Sequence, residues 1–443
     1  MAIFIKTTIY LSFFIILILD KANLKLLNKK SKLFIQDGDI IATISTDNET
    51  EFREAIKILN IMGGIVYIDT PIISISIDDK IELSGTSAGG IIGLKQPNDE
   101  YPRIDFKKVR DNFDGKSISQ GMITITGSHK FLKYLIVENS ACYGINVSGK
   151  KNYLDHIITR YNNFPGISLY KAESTTLTHC YSYRNFGRFS YGQLGDGFAI
   201  DFGTSNNTIF SYCFAWDNSN DGWLSFTNGQ TDYSESVSFL HCGSWNNGNI
   251  NVFTGKYDYD NGKPLDKNLW SIQDLISSDE DFEKNYNKKE FNIDNGKICG
   301  ENVKEWISKA NGYIDGNGFE FGQKTISDIQ NPKRIVDYTA SFNNKNKGLS
   351  NKNNLKCRAD FTNIASFNNR INYQISFNFE KWSNNWSWGN KIDEQKDLDL
   401  KKPSKINTSE KLFYSTSEQI IKIITSNKFN DDLNFDSAIK NLN

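Results

Sequence analysis

Three short stretches set acidic side chains beside glycine. They are Gly195-Asp196-Gly197-Phe198, Asn218-Ser219-Asn220-Asp221-Gly222-Trp223 and Asp315-Gly316-Asn317-Gly318-Phe319-Glu320. Acidic side chains so placed could do chemistry if the fold brings them together. They could act as the paired carboxyl groups of glycoside hydrolysis, for which Asp196, Asp201, Asp221 and Glu320 are candidates. Asp-Gly and Asn-Asp-Gly are ordinary turn sequences as well, so the chemistry depends on what positions them. With 4 His in the chain, a histidine-based triad is not expected.

The positioning elements emerge from an internal repeat. Segments such as His179-Cys180-Tyr181-Ser182-Tyr183-Arg184-Asn185, Tyr212-Cys213-Phe214-Ala215-Trp216-Asp217-Asn218 and His241-Cys242-Gly243-Ser244-Trp245-Asn246-Asn247 align with one another. Similar segments end at Asn162, Asn344 and Asn369. The Asn positions step by 23, 33, 29, 97 and 25 residues. Short alternating strands with Asn/Gly turns at about 25-residue spacing are the mark of a parallel β-solenoid, in which each coil needs its neighbours to complete a core. Equivalent residues then stack about 4.8 Å apart. The repeated Asn is expected at a corner, in the left-handed conformation, bonding to the Asn of the next coil. The Cys180, Cys213 and Cys242 column reads as a reduced, inward stack; Cys142, Cys299 and Cys357 are unplaced. The column of His156, His179, Tyr212 and His241 falls on the opposite face and reads as an exposed ring stack.

Here the chain resembles the calcium-dependent pectate lyases of polysaccharide lyase family nine, over about Gly121 to Asn390. The resemblance rests on Gly195-Asp196-Gly197-Phe198-Ala199, on Asn220-Asp221-Gly222-Trp223, and on Asp315 through Gly322. It implies an all-β, right-handed parallel β-helix. It also implies β-elimination on polygalacturonate, in which a cation held by Asp side chains acidifies a substrate proton and a Lys removes it. The metal position is kept as Asp196. The family's adjacent Asp pair is Asn220 and Asp221 here. A further family Asp is Leu224, and the catalytic Lys position is Glu320. Calcium is therefore the implied cofactor, bound more weakly, with Asp196, Asn220 and Asp221 as metal residues and Glu320 at the catalytic position. An ordinary Glu, with a pKa of about 4.3, is a poorer base than Lys; either Glu320 serves as base or acid, or another cation such as Lys256 or Arg184 acts. Three readings follow: a lyase relative, a catalytically inactive glycan binder, and a hydrolase using the paired carboxylates.

Around this core, residues 1–22 read as a signal peptide or anchor, because the apolar run Ile9–Leu19 is too short for a membrane span. Residues 23–62 form a leader and a capping helix, Glu49 to Asn60, with Phe52, Ile56 and Leu59 on one face. The β-helix occupies 63–390, with a charged, partly helical insertion at 255–311 that includes a helix from Glu301 to Lys309. Residues 391–443 form a polar extension with a helical candidate at Glu418 to Thr425. The charge balance, 51 Lys+Arg against 52 Asp+Glu, excludes binding to nucleic acid through a strongly basic surface. The expected partner is an acidic polysaccharide met outside the cell by a monomer. Trp216, Trp223, Trp245, Trp382, Trp386 and Trp388 are candidate platforms for sugar rings.

Overall fold

The computed structural model describes residues 32–36, 39–97, 100–113, 121–201, 207–226, 237–249, 257–258, 263–264, 297–298, 301–322, 333–351, 358–389 and 398–401. The signal or anchor segment, Lys256, Cys299, Cys357 and the Glu418–Thr425 candidate lie outside them.

Parallel strands stack into three ladders, the walls of a β-helix. The first runs from Asp39–Ile44 and Gly64–Ile68 to Asn378–Ser383. The second runs from Ile72–Ser74 to Trp386–Trp388. The third holds nine strands, from Ile81–Leu83 through Phe198–Asp201, Trp223–Phe226 and Phe319–Glu320 to Ile371–Gln374. The long strands Lys130–Glu138 and Tyr153–Arg160 run on from the first wall into the second. The first wall thus begins at Asp39–Ile44, within the segment expected as leader. The helix Glu49–Met62 follows that strand, capped by Asn48, and buries Phe52, Ala55, Ile56 and Leu59.

Between the first two walls the chain turns through a single left-handed residue: His156, His179, Tyr212, His241, Tyr338 and their equivalents. A second such residue leaves the second wall: Tyr161, Arg184, Asp217, Asn246, Asn343, Asn368. The repeated Asn is the next residue along, and it is not left-handed as the sequence suggested. The bend residue turns outward, so its successor turns in and buries its amide. Asn162, Asn185, Asn218, Asn247, Asn344 and Asn369 form the internal ladder, each Nδ2 donating to the next Oδ1 at 2.9–3.0 Å. Asn369 passes the chain to Asn372.

The interior is filled by stacks. Trwo aromatic runs, Phe198–Trp223–Phe319 with centroids 4.0 and 5.4 Å apart and Phe210–Phe239 at 5.5 Å, meet edge to face. Cys142, Cys180, Cys213 and Cys242 are buried free thiols. The outer rings His156, His179, Tyr212, His241 and Tyr338 stack at 4.5–5.1 Å. The tryptophans depart from expectation. Trp223 belongs to the core, and Trp216, Trp245 and Trp386 are buried in an aromatic cluster on the second wall, so none of the four offers a ring to a sugar. Trp382 and Trp388 are half-buried. Outward alternation did not mean exposure, because this wall's outer face is itself apolar.

Candidate functional site

The site is built where the chain enters the third wall. Gly197, Gly222 and Gly318 each immediately precede a strand there, and each follows an Asp or Asn: Asp196, Asp221 and Asn317. Glycine is required because the side chains of the second wall pass beneath. A Cβ at Gly222 would lie 2.0 Å from Ser244 Oγ, and one at Gly318 1.9 Å from Ser341 Oγ. The short strands therefore fix the residue before each glycine in register from coil to coil.

That register makes a polar column. Asp221 N–H donates to Asp196 Oδ1 at 2.9 Å, Asn317 N–H to Asp221 Oδ1 at 2.6 Å, and Lys347 N–H to Asn317 Oδ1 at 3.2 Å. Each side chain satisfies a backbone donor of the coil above, which is one reason for the Asx residues. Asp196, Asn220, Asp221, Asn317 and Glu320 are all buried. Asn220 Nδ2 donates to Asp196 Oδ1 at 2.8 Å, while its Oδ1 accepts from Asp315 N–H at 2.9 Å. Asn220 thus braces two acidic residues with both ends of its amide. Asn317 Nδ2 donates to Glu320 Oε2 at 2.9 Å.

Asp221, Asp315 and Glu320 each present a carboxylate oxygen within 4.8 Å of the other two. Burial raises the Asp196 carboxyl to about 8, helped by the charges of Asp201 and Glu320. Burial also pushes Asp221 well up, with Glu320 and Asp196 adding to it. Asp201, two residues beyond Ala199 and touched by Ser168 Oγ at 3.4 Å, is raised to about 7 by burial. Among the described residues, no lysine or arginine forms an ion pair with Asp196 or Asp221. Arg184 is elsewhere: it is fully buried against Asp217, Nε to Oδ2 3.5 Å, and is unavailable as a groove cation.

The donor set suits a hard divalent cation. Carboxylate oxygens at 2.3–2.6 Å from an ion lie within about 5 Å of one another, as these do. Asp196 Oδ2 is buried with no hydrogen-bond partner. The arrangement differs from the ligand group read from the sequence. Asp196 and Asp221 are neighbours, as expected, but Asp315 joins them and Asn220 is occupied as a brace. In register, Leu224 lies directly beneath Glu320. The carboxylate missing at 224 is matched by one at 320, a coil further along.

Asp315 was hidden by the insertion, which separates it from Asp221 by 94 residues. The helix Val303–Tyr313 places it. Trp306 is buried, its Nε1–H donating to Arg188 O, with its ring against Phe186 and Tyr191. Tyr313 stacks on Tyr191 at 5.6 Å. Ile314 seats beside Gly192, where a Cβ would come within 2.6 Å of Ile314 Cδ1. The next residue is Asp315. Its place beside Asn317 in the Asp-Gly-Asn-Gly run was the only sequence signal for it.

A parallel β-helix by itself does not define a function, so the comparisons with known proteins stand beside the site's geometry. The family description "Pel9A-like, right handed beta helix region" matches residues 36–263, and the chain belongs to that family. Its fold is of the polysaccharide-lyase type. It is 23% identical to pectate lyase L of Paenibacillus polymyxa (strain SC2) over 292 residues, 62% of this chain and 63% of that protein. It is 27% identical to pectate lyase L of Dickeya chrysanthemi over 107 residues, 24% of this chain and 25% of that protein. In both cases the matched length is under two thirds of the relative. Among solved structures, pectate lyase Pel9A aligns with TM-score 0.44 at 16% identity, covering 77% of this chain and 70% of that one. A rhamnogalacturonan lyase aligns with TM-score 0.41 at 15% identity, covering 76% and 82%.

Proposed function

We propose that the protein acts outside the cell on an acidic polysaccharide of the polygalacturonate type and cleaves it by β-elimination. The observation that carries this reading is the convergence of the Asp221, Asp315 and Glu320 carboxylates within 4.8 Å. These three, with Asp196 adjoining, would hold a calcium ion. Bound there, the ion would bridge a uronate carboxylate and acidify its neighbouring C–H. Glu320 is then a ligand in place of a base. The base comes from the coil above, where Lys347 continues the column of Asp196, Asp221 and Asn317. Lys345, in the same coil, is engaged at the end of the helix, with Nζ 3.4 Å from the carbonyls of Asn311 and Ile314.

A second reading, glycan binding without turnover, is favoured by one observation. The side chain at the family's base position is a buried carboxylate held by Asn317. The two are separated by following the absorbance of unsaturated products from polygalacturonate, with calcium and with chelator, for the native chain and Lys347→Met. A calcium-dependent rise that falls at least ~100-fold in Lys347→Met, within the range of general-base catalysis, supports elimination. No rise, with calcium-dependent retention in affinity electrophoresis, supports binding alone. Neither product nor retention would remove both readings.

A further inference from the structure

We propose that Asp155, His156 and His179 form a second cation site, selective for zinc-class divalent ions and distinct from the acidic cluster. The two histidines are the left-handed bend residues of successive coils, on the edge between the first and second walls, whereas the acidic cluster lies at the start of the third. Their rings stack at 4.5 Å and 14°, so their in-plane lone pairs run parallel and the rings would tilt toward each other to share an ion. Asp155 Oδ1 lies 2.6 Å from His156 Nδ1 and 4.0 Å from His179 Nδ1. All three donors fall within 4.8 Å of one another. Zinc bonds of about 2.0–2.1 Å in tetrahedral geometry space their donors about 3.3 Å apart. The two observed gaps bracket that value, so shifts of under about 1 Å would close the set.

The rest of the ring column sharpens the case. It continues through Tyr212, His241 and Tyr338, but among the described residues nowhere else in that run does a carboxylate lie beside two imidazoles. The register position of Asp155 is taken by Thr178, Ser211 and Leu240 in the coils above. Asp337 returns to it only beside Tyr338, and there it accepts from Thr362 Oγ1 and Asn363 Nδ2. The side chains at the site are reachable from solvent: His156 is 33% and His179 40% exposed, and Asp155 12%. Water can complete the coordination. An ion would replace the contact of Thr178 Oγ1 with His179 Nδ1 at 3.0 Å and the hydrogen bond between Asp155 Oδ1 and His156 Nδ1. Two nitrogens and one oxygen select a borderline ion over calcium, which takes oxygen donors.

The test is calorimetric titration of Zn²⁺ into the full chain after chelator treatment, in saturating calcium so that the acidic cluster is filled. One zinc per chain is expected. Affinity should fall at least 30-fold, about 2 kcal/mol, in His179→Tyr and in Asp155→Asn, and stay unchanged in Asp221→Asn. His179→Tyr keeps the ring type that the column already carries at Tyr212 and Tyr338, so the fold is preserved. Should that variant nonetheless unfold by circular dichroism, His156→Tyr takes its place, because Tyr134 occupies the equivalent bend. An unsaturable zinc isotherm in the native chain, or equal zinc affinity in the native and tyrosine variants, overturns the proposal.

Discussion

Two buried polar columns run along this β-helix, and they obey different rules. In the Asn ladder the same neutral amide recurs from Asn162 to Asn369, each giving and taking one bond of 2.9–3.0 Å with its neighbours. Nothing in it is charged, and each member is interchangeable with the next. In the column of Asp196, Asp221, Asn317 and Lys347, the first three side chains also serve the backbone above them. Yet the residue type is not kept, two Asp giving way to Asn and then Lys, and the acids are stacked where burial penalises their charge. A repeated structural need selects a repeated residue. A column whose members differ, and which stores like charges in the interior, is arranged around something else. The two share a hinge: Gly222 and Gly318, which follow Asp221 and Asn317, are also where Asn247 and Asn344 pass beneath.

The sharpest way to break the comparison is Asn218→Leu. It removes the acceptor for the Asn185 backbone N–H and side-chain amide, and the donor to Asn247 and to Ser182 O. Each buried group left unsatisfied costs about 1–3 kcal/mol, so a loss of roughly 3–5 kcal/mol in urea unfolding is expected. The matching change in the other column, Asp221→Asn, should leave stability within about 1 kcal/mol, because an amide oxygen still accepts from Asn317 N–H and a buried charge is removed. Its effect falls on ligand affinity: calcium-dependent retention of polygalacturonate should weaken at least ~10-fold, as expected when a site loses ligand charge. Equal destabilisation by the two variants would mean that both columns are structural.

The acidic column should also confess itself through pH. Asp196 and Asp201 have folded-state values raised to about 8 and about 7, against about 3.9 in the unfolded chain. Between those limits the folded state binds more protons than the unfolded state, so stability falls as pH rises. The contribution is whole below about pH 4 and gone above about pH 8. Melting temperatures in chelator should therefore decline from pH 5 to 8, and calcium should flatten the decline by replacing the protons. A melting temperature that rises over that interval in chelator would contradict the burial of these carboxylates.

What the sequence disclosed follows the same division. The ladder was readable because stacking demands Asn at one position in coil after coil, and its periodicity survived even the 97-residue gap. The left-handed residue was misplaced by one, since Tyr161, Arg184 and Asp217 hold that conformation and no residue type betrays it. Asp196 and Asp221 were found because the Asp-Gly steps of two coils carry the family resemblance. Asp315 and the bracing role of Asn220 were not, because their bond joins residues 95 apart across the insertion. Burial of the second wall's tryptophans was equally out of reach: alternation tells which face a side chain takes, not what covers that face.

The smallest expected effect makes the finest distinction. Asn220→Asp restores the acidic pair to the Asp-Gly step by replacing a single amide. The variant loses the donor that reaches Asp196 Oδ1 at 2.8 Å, and it sets a second carboxylate against one that burial already disfavours. In chelator it should lose about 1–3 kcal/mol, the cost of leaving a buried polar group unsatisfied. Its remaining oxygen still accepts from Asp315 N–H. Calcium adds a compensating term, so the deficit should shrink as calcium rises, with the binding midpoint moving a few-fold lower. The identical Asn→Asp change at Asn218 has no such escape, because a carboxylate there cannot donate to Asn247 Oδ1 or Ser182 O and no second acid adjoins it in the ladder. If calcium rescues Asn218→Asp as well as it rescues Asn220→Asp, the ion acts on the whole solenoid and not at the acidic column.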